Sequence, residues 1–230
     1  NTLSLHDALP ICQMGFSVGR INLLVKSAIL HDIGALKLPQ LLDAEDLDDG
    51  TKEVVKKNTQ ETLARYGDLD EEVLRLITQM QELYTSEGDA EIPAALKESV
   101  NANILYVADA YDRMTAMKSF EEPTSEVKAV RELLADEERY NKKIVNALIH
   151  GISILYPGVC VELTNGEKGL VITENEDNIF EPIVLDFRNN NLHDLSDPSV
   201  KQTVEIADVM KTMDNRIKLD KSLLEEYQAN

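Results

Sequence analysis

The hydrophobic period of this chain changes once, and that change limits what it can fold into. From about Ser17 to Tyr156 apolar residues recur at intervals of three and four; beyond Pro157-Gly158 they recur at two. A helical period cannot sit as a strand, so two pieces of different class are expected. Ile21, Leu24, Val25, Ala28 and Asp32 form one helical stripe, which puts the aspartate near its buried side. Val73, Ile77, Met80 and Tyr84 form a second, behind the acidic start Asp68-Leu69-Asp70-Glu71-Glu72 that suits a helix N-terminus. Ile104, Val107, Ala108, Tyr111 and Thr115 form a third, with Asp109 at its edge. Ile144, Leu148, Ile152 and Leu155 form the last, which Pro157-Gly158 should stop.

Downstream, Val159, Val161 and Leu163 alternate with Cys160 and Glu162, and Asn165-Gly166 supplies a hairpin turn. Gly169–Thr173 and Pro182–Phe187 read as the next two strands. Shorter strands are expected around Leu192–Leu195 and Val204–Val209, and a closing helix over Lys218–Gln228. The expected architecture is an all-α helical bundle over residues 13–156, then a small β-rich C-terminal appendage with a terminal helix over 157–230.

Residues 1–12 stand apart. Asn1–Ile11 closely resembles translated sequencing-adapter read-through, so it is excluded from fold reasoning and His6-Asp7 carries no chemistry. The natural chain is then expected to continue upstream. A hydrophobic content of 43% suits a packed core, while the net charge of −19 argues against nucleic acid and against an anionic membrane surface. No apolar run approaches a transmembrane length, and no signal peptide is visible. Cys12 and Cys160 form no CxxC pattern, which suits free thiols in a reducing cytoplasm.

The chemistry concentrates at the end of the first stripe. An apolar helix runs into His31-Asp32-Ile33-Gly34, where adjacent imidazole and carboxylate groups can hold one metal ion. Far downstream stands Val107-Ala108-Asp109-Ala110-Tyr111-Asp112-Arg113. Together these segments resemble the HD phosphohydrolase superfamily. The segment order and the Tyr156-Pro157-Gly158 … Leu163-Thr164-Asn165-Gly166-Glu167 appendage resemble its HD-GYP branch, whose active members hydrolyse cyclic di-GMP. The resemblance covers about Gly15 to Phe187 and implies an HD-type bundle with His31, Asp32 and Asp109 as ligands to iron or manganese. It also implies further histidines that this chain lacks. The family's His-Pro position falls near Asn58-Thr59 and its His-His-Glu triplet at Met80-Gln81-Glu82. Ala35 replaces the lysine after His-Asp-Ile-Gly, and the Gly-Tyr-Pro loop shortens to about Thr85–Asp89.

The chain has four histidines, His6, His31, His150 and His193, and only His31 matches a family ligand position. The resemblance is therefore to a degenerate member, with no catalytic residue assigned and no cofactor expected; the alternative is a divalent iron or manganese ion. Lys37, Glu82 and Arg113 are the candidate ligand-binding residues. His31-Asp32 reads equally as a hydrogen-bonded core pair, Asp109 as a buried acceptor for His31, and Arg113 as an ion-pair partner. Lys37 reads also as a solvated side chain. His193-Asp194 lacks a helical lead and reads as a surface pair, and the acidic run Asp43–Asp49 lacks the ligand spacing of a calcium loop.

Two functions follow. One is a cytoplasmic bacterial signalling module acting as receptor or scaffold, with a signalling partner protein, an upstream domain or a cyclic dinucleotide as its partner. The other is an active metal-dependent phosphohydrolase with rearranged ligands.

Overall fold

The computed structural model describes residues 15–38, 48–66, 69–85, 92–117 and 122–210. The expected helix over Lys218–Gln228, the shortened loop after Thr85, most of the acidic run and the adapter-like start lie outside these residues. The chain divides into two compact units. One holds the chain up to Thr124 together with Ala129–Ile152; the other holds Ser125–Lys128 and everything from Ser153 onward.

In chain order the helices are α1 (Val18–Leu30), a 3-10 turn (Ile33–Lys37), α2 (Asp49–Leu63), α3 (Glu71–Thr85), α4 (Ala94–Glu98), α5 (Val100–Thr115), α6 (Glu126–Ala135) and α7 (Lys142–Ile152). Their starts follow from capping chemistry. The Ser17 hydroxyl accepts from Arg20 N at 3.3 Å, and the Asp48 carboxylate accepts from Thr51 N at 2.7 Å. The ends obey backbone geometry. α7 stops at Ile152, short of Pro157-Gly158, because Ser153 already takes a left-handed φ of 45°.

α5 is the most deeply set helix of the first unit. Every residue from Ala102 to Val107 is buried, with Ala110 and Tyr111, as α1, α3 and α7 pack against it. Val73, Ile77 and Leu63 join with Leu23, Leu30 and Ile33 in a cluster that ties α1, α2 and α3 together. Leu63, Val73 and Ile77, the buried members, each contribute about 1.5–3 kcal/mol.

The 3-10 turn presses against α2. A Cβ at Gly34 would lie 2.4 Å from both Thr59 N and Val55 O, and the Gly34 amide donates to Thr59 Oγ1 at 3.0 Å. Only glycine allows two backbones this close. The phase of α1 departs from expectation. Leu24 and Ser27 are its buried residues, and continuing that stripe by four reaches His31. Asp32 instead sits past the helix end, as the residue that opens the 3-10 turn.

In the second unit β1 (Cys160–Leu163), β2 (Lys168–Thr173), β3 (Ile183–Asp186), β4 (Leu192–Asp194) and β5 (Ile206–Val209) form one antiparallel sheet in the order β4-β3-β2-β1-β5. Val161 and Leu163 point into its core and Glu162 away, as the alternation requires. Gly166, at φ +82°, closes the β1–β2 hairpin. A one-turn helix, α8 (Pro198–Lys201), precedes β5. The molecule is thus a helical domain with a β appendage. Of the expected surface pair, Asp194 is exposed, whereas the His193 ring is 24% exposed and its Nε2 lies 3.5 Å from Oδ2 of the buried Asp186.

Candidate functional site

Three helices of the first unit deliver one polar cluster. His31, at the C-terminal end of α1, donates from Nδ1 to the Ala28 carbonyl at 2.7 Å, which fixes the ring and aims Nε2 at Asp109. Nε2 lies 3.4 Å from Asp109 Oδ1, with the two side chains 14% and 15% exposed. α5 supplies Asp109 and, four residues on along the same face, Arg113. The Arg113 Nε donates to Asp109 Oδ2 at 2.9 Å.

α3 supplies Tyr84, whose hydroxyl donates to that same oxygen. The Tyr84 ring lies nearly parallel to His31, with 6.3 Å between centroids, and the Arg113 guanidinium sits 4.8 Å above its face. Gln81, one turn earlier on α3, donates to the His31 carbonyl at 3.0 Å, while its own Oε1 is buried without a partner, as is Ser27 Oγ.

The electrostatics follow from this geometry. Burial disfavours the charged imidazole, but the Asp109 hydrogen bond and charge, the Asp32 charge and the Ala28 carbonyl outweigh it, so the His31 pKa is raised. Burial likewise opposes the Asp109 carboxylate. His31, Arg113 and the Tyr84 hydroxyl overcome that and hold its pKa down. Asp112 is pushed up by burial and by its neighbour Asp109.

The donor set does not fit the metals that an HD-type site implies. Asp109 Oδ2 is taken by Tyr84 and Arg113, and Oδ1 faces His31 Nε2. A cation there would meet a guanidinium at the same carboxylate. Among the described residues no three His, Cys, Asp or Glu side chains come together in a way that could hold a metal ion.

The residues that the HD-GYP resemblance would set at further ligand positions serve packing or lie outward. Thr59 is fully buried and accepts the Gly34 amide; Met80 is core; Glu82 is on the exposed side of α3. Lys37 reaches α2, with Nζ 3.4 Å from the Asn58 carbonyl and 3.9 Å from Glu61.

Of the sequence candidates, then, His31, Asp109 and Arg113 share one cluster, and Asp32 lies at its edge. Lys37 instead reaches α2, and Glu82 lies on the exposed side of α3. Tyr84 and Gln81 were not sequence candidates. Tyr84 carried a usable signal, a hydroxyl on an apolar stripe that has to find a partner when buried.

Residues 8–114 match the family model described as the HD domain, a stretch that spans His31, Asp32, Asp109 and Arg113. No curated protein matches the chain.

Proposed function

We propose that this chain, with an HD domain at residues 8–114, is a signalling module of the HD-GYP kind that no longer hydrolyses and acts as a receptor or scaffold. One observation carries the reading: Asp109 is engaged by His31, Tyr84 and Arg113. In a metal-dependent phosphodiesterase, divalent ions generate the nucleophile and clamp the phosphate oxygens. Here a fixed guanidinium provides the positive charge beside the aspartate. A fold outlasts its chemistry when the scaffold itself is used, because function resides in the site. The setting is the bacterial cytoplasm. The partner is a signalling protein or an upstream domain, with a cyclic dinucleotide as the small-molecule candidate.

The test is turnover of cyclic di-GMP and of bis(4-nitrophenyl) phosphate with manganese or ferrous iron supplied anaerobically. The expected result is no hydrolysis that His31→Ala removes. Hydrolysis that His31→Ala abolishes would instead establish an active phosphohydrolase with rearranged ligands.

A further inference from the structure

We propose that the first unit carries an oxyanion cleft, separate from the His31 cluster, that receives the phosphoryl group of a small phosphate monoester. The cleft, of about 280 Å³, lies where α1, α3 and the start of α5 meet. Arg20 of α1 and Arg75 of α3 line it, against one carboxylate, Glu72. In a chain of net charge −19 this local excess of positive charge runs against the overall field.

Arg20 is held ready. Its Nε donates to Asn101 Oδ1 at 2.8 Å, and its guanidinium carbon lies 3.7 Å from the centroid of the Phe16 ring. These contacts use Nε and the face of the group, so among the described residues its two terminal amino groups remain for a ligand oxyanion.

The start of α5 adds donors to the same wall. Ser99 makes no side-chain cap to this sixteen-residue helix, and its hydroxyl donates to Gln79 Oε1 at 2.9 Å. Among the described residues no side chain accepts from the first α5 amides, at the end of the helix where the dipole favours an anion. Glu72, 3.4 Å from the Arg75 guanidinium, offers an acceptor for a hydroxyl or ammonium group carried beside the phosphate. That mixed lining favours a monoester over the bare ion.

The cleft shares no lining residue with the polar cluster. Arg20 and His31 are eleven residues apart on α1, about 16 Å of helical rise. The inference thus stands whether or not the HD site is catalytic.

The test is a titration of the isotope-labelled full chain with glycerol 3-phosphate and with inorganic phosphate at constant ionic strength, followed by NMR. Saturable shifts are expected at the Arg20 Nε–H and the amides of Val100, Asn101 and Ala102, with the ester binding more tightly than phosphate. Arg75→Gln, at a side chain 70% exposed and so without consequence for folding, should weaken binding about tenfold. Arg20→Lys keeps the charge but loses the fork, and should weaken it by at least as much. Non-saturable shifts, or equal shifts with chloride, would mean an adventitious ion only and overturn the proposal. So would ester binding no tighter than phosphate, or wild-type affinity in Arg75→Gln.

Discussion

Replacing Gly34 by alanine should destabilise the helical unit markedly. The added Cβ would stand 2.4 Å from Thr59 N and from Val55 O, and 2.6 Å from Thr59 Oγ1. Two of these three are backbone atoms of α2, which no rotamer change can move. Restoring ordinary contact requires the 3-10 turn and α2 to part by about 1 Å, an overpacking cost of about 1–3 kcal/mol. The same movement stretches the 3.0 Å Gly34–Thr59 hydrogen bond, adding about 1 kcal/mol. A total near 3 kcal/mol is a large part of the ~5–15 kcal/mol that holds a domain together. At about 2–4 °C per kcal/mol it lowers Tm by roughly 6–12 °C.

Circular dichroism melts and urea titrations of the two proteins measure this directly. Gly19→Ala is the control of opposite sign. Nothing lies within 4 Å of its Cβ, so in α1 it should raise stability by up to about 1 kcal/mol. A Gly34→Ala protein within 0.5 kcal/mol of wild type would refute the close approach of the two backbones.

Three further outcomes are expected. The stability difference between wild type and His31→Ala should be larger at pH 5.5 than at pH 8.5 in urea titrations. A raised folded pKa for His31 gives stability that is present below its ordinary 6.5 and is lost as pH rises through the folded value, while the depressed Asp109 contributes above its ordinary 3.8 and loses that contribution only as pH falls through its folded value. A difference that grows towards alkaline pH would contradict the pairing. Tyr84→Phe should cost about 1 kcal/mol, since Asp109 keeps Arg113 and His31, and an unchanged urea midpoint would show the hydroxyl to be idle. Arg113→Ala should cost about 1 kcal/mol, modest because the arginine is 43% exposed. It should also tighten manganese binding at His31 and Asp109 as seen by electron paramagnetic resonance; unchanged manganese affinity would mean that the guanidinium does not occupy the cation's place.

Much of the fold was legible because burial writes a period into sequence. The stripe Val73, Ile77, Met80 and the alternation through Val161 and Leu163 are each buried as their spacing demands. What misled was a polar residue in an apolar place. Ser27 is fully buried, so the stripe of α1 runs Leu24, Ser27, His31. The apolar residues Ile21, Leu24, Val25 and Ala28, continued to Asp32, mark a neighbouring phase with the same spacing. The end of α7 was missed for a different reason: a non-glycine residue, Ser153, takes the left-handed conformation, and nothing in its identity announces that. In the site, Asp109 and Arg113 share a helix and could be paired by their spacing of four. The approach of Tyr84 to Asp109, from a different helix 25 residues away, is set by tertiary packing and has no local signature.

The central claim is that Asp109 is satisfied by side chains rather than by metal. Elemental analysis of the full chain, purified anaerobically without chelator, tests it most directly. Iron and manganese together well below one per chain are predicted from the His31–Asp109–Arg113–Tyr84 arrangement. About two ions per chain would contradict it, and would mean that other residues have taken the place of the missing histidines.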